Sequence, residues 1–231
     1  RGFKGGGGGL KLGEIVTVLK VPACRTLTIF MMLTGLGGQM YQSTFSMAAK
    51  NTFNMGPKEL GYLQTFSAVT ALVANTFLVG LIERFLSQTA VISSAVALLI
   101  AAMLLYTQAT SAVHVMMVVV LLALPSSAMY TTLTSMLTRS ASADNTATVI
   151  GLGHAARSAV GIIAPTVGGY VLQSYGTAGV GTTCAIVLSC ALAFIQTSKS
   201  SLKNLNDKKP TAAASTPSKS QRGRELRPRD L

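Results

Sequence analysis

The stretch from Thr148 to Gly176 does most to limit what this chain can become. At 1.5 Å per residue a helix over it is long enough to cross a bilayer, yet His154 and Arg157 sit well inside the apolar run, and Pro165, Gly168 and Gly169 close it. An arginine near the middle of a membrane helix costs roughly 2.5 to 3.5 kcal/mol on insertion scales, so it faces a protein interior or a wet cavity rather than lipid. His154, Arg157, Ser158, Gly161, Pro165 and Gly168 recur at spacings of three and four. They share one helical face, which is expected to be the polar, small-residue face of a packed bundle.

Composition extends the argument to the whole chain. Of 231 residues, 49% are hydrophobic and 11% charged, and the mean hydropathy is +0.50. These are too few charges to clothe a soluble globule, so the expectation is an all-α polytopic membrane protein. The net charge of +12 invites a nucleic-acid reading, but nine of the nineteen basic residues lie beyond Thr197, without interleaved aromatics, and most others flank apolar segments. No nucleic-acid partner is expected. Cys24, Cys184 and Cys190 form neither an even framework nor a ligand spacing and read as small apolar residues. With no acid pair, no metal-ligand cluster and no nucleophile with its base inside the apolar runs, enzymatic chemistry, a metal and a cofactor are not expected.

Apolar runs near 25–48, 60–82, 89–107, 113–136, 148–173 and 178–197 predict six transmembrane helices, together the bundle of residues 24–197. Before it, residues 1–23 contain a glycine run and Leu12, Ile15, Val16 and Leu19 at helical spacing, a linker with a short amphipathic helix. After it, residues 198–231 read as a disordered basic tail that could touch anionic headgroups. Lys11, Lys20, Arg25, Arg84, Arg139, Lys199 and Lys203 fall on one side of the spans, and Lys50 and Lys58 on the other. The first side is therefore cytosolic, with both termini in the cytosol. The expected location is the plasma membrane or an endomembrane. The absent initiator methionine and the glycine-rich start suggest a fragment.

Polar residues sort the six segments. The first carries Gln39, Tyr41, Gln42 and Ser46 after a GLGG break, the second Gln64 and Asn75, the fourth Ser127, Tyr130, Thr131 and Thr134 just after Pro125, and the fifth His154 and Arg157. The third and sixth offer scattered Ser and Thr, which a helix satisfies through its own carbonyls. Segments one, two, four and five then line something polar, a three-plus-three pattern expected of repeated transporter halves. Interhelical glue is the competing role for Gln64 and Asn75. The methionines could line an adaptable pocket or simply pack. All seven acids lie outside or at the edge of the spans. Arg157 must therefore meet a carbonyl, water, an anionic solute group or a carboxylate elsewhere. His154 could serve as a proton site beside it or be an ordinary packed histidine.

The run GYLQTFSAVTALV and the Gly80, Glu83 and Arg84 that follow it resemble the second helix and short cytosolic loop in the C-terminal half of major facilitator superfamily transporters. NTATVIGLGHAARSAVGIIAPTVGGYVLQSYG resembles their penultimate helix. Gly151 and Leu152, the APTVGG of 164–169 and the ELGYL of 59–63 are most similar to an organic-cation-transporter-like branch of the solute carriers allied to tetracycline-resistance antiporters. The resemblance implies the seventh to twelfth helices of a twelve-helix fold, with an N-terminal six-helix half completing the cavity. It further implies an alternating-access secondary transporter that exchanges small organic solutes, organic cations or drugs, for protons. Gly80, Glu83 and Arg84 would help latch the cytosolic gate, although Leu86 and Gln88 stand where the family has glycine and arginine. Gln39, Gln42, Tyr130, His154 and Arg157 are the candidate solute-contacting residues. An organic anion met by Arg157 is the alternative cargo, and a non-transporting scaffold that binds partners or anionic lipid through its basic tail is the alternative function.

Overall fold

A computed structural model describes residues 21–73, 76, 87–109, 111–140 and 146–198, and every element among them is helical. The expected linker helix, the tail beyond residue 198, Asn75 and the loop residues Gly80, Glu83 and Arg84 lie outside the described residues.

Helix α1 (Pro22–Phe53) begins with proline in its first turn, where a missing N–H removes no intrahelical bond. It ends at Asn54, whose left-handed backbone (φ 51°, ψ 33°) lets the Met55 N–H donate to Ala49 O at 3.1 Å. Gly56 and Pro57 then start α2 (Pro57–Val73). Helix α3 (Gln88–Thr107) is capped by Ser87, whose hydroxyl accepts from the Ala90 N–H at 3.3 Å. Helix α4 (Ala112–Ser140) runs through Pro125, and α5 (Thr146–Thr197) through Pro165.

As one straight rod α5 would measure about 78 Å, more than twice a bilayer's hydrocarbon thickness. It is divided at Gly176, whose φ of 66° and ψ of −164° belong to a region open essentially to glycine alone. Met31 faces Gly153, Gln39 faces Gly161 and Thr44 faces Gly168, so α1 and the first arm of α5 run parallel. The second arm returns: Gly37 meets Cys184 and Leu188, whereas Tyr41, a turn further on, packs edge-on against Tyr106, whose ring borders Gly181. The chain thus reverses around one residue. Gly176→Ala should cost about 1–3 kcal/mol and lower the thermal midpoint of the purified protein in detergent; an unchanged midpoint would show that the reversal tolerates a Cβ.

Helix α3, residues Val113–Ser140 of α4, and α5 are long and apolar enough to cross a membrane. In α1 the buried Thr28, Thr34 and Thr44 donate their hydroxyls to Cys24 O, Phe30 O and Met40 O at 2.8–2.9 Å, which keeps them compatible with an apolar interior. The main core joins α1, α3, α4 and both arms of α5 around Leu27, Phe30, Ile92, Tyr106, Met136 and Leu188. A second cluster, with Phe45, Leu63 and Val115, ties α2 to α1 and α4.

The packed face of the first arm of α5 differs from the expected one. Val149, Gly153, Ala156, Val160, Ala164 and Gly168 are buried, whereas His154, Arg157, Ser158 and Pro165 are exposed. Small residues bring α1 and α5 close, as apolar solvent demands, and the polar stripe is rotated away from that contact.

Candidate functional site

Close packing of α1 on α5 leaves a gap on the side where α2 and α4 approach. The result is a cavity of about 510 Å³, within the usual range for a small-molecule site. Its polar lining comes from α1 (Thr34, Gln39, Tyr41, Gln42), α2 (Gln64, Ser67), α4 (Ser126, Ser127, Tyr130) and the first arm of α5 (Arg157). Helix α3 and the second arm contribute Leu99, Met103 and Leu188. This is the division that polar content along the sequence leads one to expect.

Four of the five candidate residues, Gln39, Gln42, Tyr130 and Arg157, share this cavity. The Gln39 amide crosses α5 at Gly161, where a Cβ would stand 3.1 Å from its Nε2; glycine at 161 leaves the amide its room. The Arg157 guanidinium carbon lies 5.0 Å from the centroid of the Tyr130 ring, over its face. His154 stands elsewhere. It borders a crevice of about 10 Å³ between α4 and α5, shared with Tyr130, Thr134, Leu137 and Arg157. Positions 154 and 157 differ by about 60° around the helix, enough to separate their outlooks.

The structure also places other polar residues of the lining helices. Gln64 lines the cavity rather than serving only as interhelical glue. Tyr41 Oη and Ser127 Oγ are buried in its wall without a hydrogen bond to a described residue, while Ser126 donates to Leu122 O at 2.6 Å in the turn beside Pro125. Met31, Met103 and Met129 line the cavity, Met40 and Met136 sit in the core, and Met32, Met47, Met116 and Met117 are exposed. Among the described residues Glu59 is the single acid, and no His, Cys, Asp or Glu cluster suits a metal ion. The site therefore offers amides, hydroxyls and one fixed cation.

Comparison with known proteins agrees. Residues 27–228 match the Major Facilitator Superfamily. Mouse (Mus musculus) solute carrier family 22 member 18 is 23% identical over 165 residues, covering 71% of this chain and 41% of the mouse protein. Human (Homo sapiens) solute carrier family 67 member A1 is 22% identical, covering 71% of this chain and 39% of the human one. The chain thus spans about two fifths of the length of these relatives. The crystal structure of the POT family transporter PepTSo superposes with a TM-score of 0.65 at 12% identity, over 78% of this chain and 38% of that one, a likeness of fold. An all-helical apolar bundle, a polar cavity between its helices and a match over most of the sequence lead to one conclusion: this chain belongs to the Major Facilitator Superfamily.

Proposed function

We propose that the chain is the six-helix, C-terminal half of a twelve-helix secondary transporter that moves small organic solutes by alternating access. The cavity carries this reading: about 510 Å³, with amides from two helices, hydroxyls and a guanidinium at the depth of apolar segments. An N-terminal half would complete the cavity, and α5 leaves Ile162, Ile163 and Tyr170 exposed. Arg25 and Arg139 lie at one end of the bundle and Lys50 and Lys58 at the other, which supports cytosolic termini. Gly80, Glu83 and Arg84 keep the role in cytosolic gating that the superfamily loop suggests.

The resemblance to drug and organic-cation carriers supports exchange of organic cations for protons, with His154 as a proton site beside the cavity. One observation favours a second cargo. Arg157 lies in the cavity with no described carboxylate beside it, which suits a solute that carries a negative group. Uptake of labelled organic cations and organic anions by the intact carrier, with Arg157→Ala and Arg157→Lys at matched surface levels, separates the two. Arg157→Ala should reduce anion flux by about tenfold or more. Unchanged flux of both classes would remove Arg157 from the mechanism. Absence of any solute flux in proteoliposomes, with function lost on deleting residues 199–231 alone, would replace the transporter by a membrane scaffold.

A further inference from the structure

The guanidinium of Arg157 is held in an unusual way. It lies over the Tyr130 ring, 5.0 Å from guanidinium carbon to ring centroid, and its N–H groups make no hydrogen bond or ion pair with any described residue. A ring face attracts the cation through its quadrupole and occupies none of the in-plane donors. The whole donor fork stays free to meet an anion, which it can do through two parallel bonds. Two spaces adjoin it. The crevice shared with His154 holds about 10 Å³, at the limit for one water molecule, and the cavity about 510 Å³. The cavity, unlike the crevice, has room for a solute beside the fork. The same cavity is lined by the apolar Met129 and Leu133 and by the uncharged amides of Gln39 and Gln42.

We propose that Arg157 and Tyr130 form a binding site for the anionic group of an organic solute, a sulfonate or carboxylate on an uncharged and largely apolar body. Arg157 makes the contact. Tyr130 is the positioning residue: its ring fixes a side chain that would otherwise spread over many rotamers, and so sets selectivity for anions. This rests on the transport reading given above, whose failure has a different signature.

The test uses the intact carrier in proteoliposomes and three permanently defined probes: benzenesulfonate, the neutral benzenesulfonamide and the cation benzyltrimethylammonium. Wild-type protein should carry benzenesulfonate in preference to the other two. Tyr130→Phe, which keeps the ring face, should leave KM within about twofold, whereas Tyr130→Leu should raise KM for the sulfonate about five- to tenfold with kcat unchanged. Arg157→Lys, which keeps the charge but not the fork, should raise it about tenfold. A side chain that merely packs would give equal effects for Phe and Leu at matched protein levels, or none, and either result overturns the proposal. Preferred transport of benzyltrimethylammonium overturns it while leaving the transporter intact. Movement of no probe counts against both readings.

Discussion

Gly181→Ala should destabilise the bundle by about 1–3 kcal/mol, and Gly181→Val should largely abolish recovery of folded protein. A Cβ built at position 181 lies 2.6 Å from Thr107 Cγ2, 3.0 Å from Met103 O and 3.3 Å from Tyr106 Cδ1. The threonine methyl can turn aside, but the carbonyl belongs to the backbone of α3 and moves only if the helix does. Separating α3 from the second arm of α5 would loosen Tyr106, which is fully buried, and with it the edge-on contact of Tyr106 with Tyr41 in the cavity wall. Close approach of small residues is the main cohesive device available where surrounding lipid is as apolar as the core. The control is Gly169→Ala. Its Cβ would meet nothing within 4 Å, so the added methyl should be neutral or stabilise by up to about 1 kcal/mol through helix propensity. Thermal midpoints and monodisperse yields of the two alanine variants in the same detergent measure the difference; equal midpoints would show that the α3–α5 contact can be relaxed freely.

The sequence does not distinguish these two glycines, and that marks the limit of reading it. Apolar runs locate the helices because a bilayer demands long unbroken ones, and residues 88–107, 112–140 and 146–197 fall where the runs do. Polar content also separates lining helices from the rest, because an amide or guanidinium in a span must face something other than lipid. Rotation is harder. Spacings of three and four place His154 and Gly168 on one broad stripe with Arg157, yet the helix turns Gly168 into α1, Arg157 into the cavity and His154 into a crevice. A repeat of 3.6 residues defines a face but not what stands opposite, and deviations of about 60° decide between packing and solute contact. Gln64 illustrates the same point. Its polarity is plain in the sequence, but whether it bonds a neighbour or borders a void depends on α4, far along the chain.

If the proposed transport function holds, Gly38→Trp should leave the protein folded and reduce solute flux by at least about tenfold, the reverse of the outcome at Gly181. Gly38 lines the cavity between Tyr41 and Gly35, and a Cβ there meets nothing within 4 Å. On a helix, exchanging glycine for almost any residue lowers backbone entropy in the unfolded chain, so the bundle should not lose stability. The indole has no room between helices and must extend into the cavity, in front of the amides of Gln39 and Gln42. A site of about 510 Å³ has little space for a solute beside a side chain of that size. Flux would then fall through loss of binding, whereas the small Gly38→Ala should transport close to the wild-type rate. Reconstituted transport of Gly38→Trp and Gly38→Ala, each normalised to folded protein by size-exclusion profile, gives the comparison. Full activity of a well-folded Gly38→Trp carrier would mean that solute passes by another route, and that this cavity is a packing gap rather than the site of recognition.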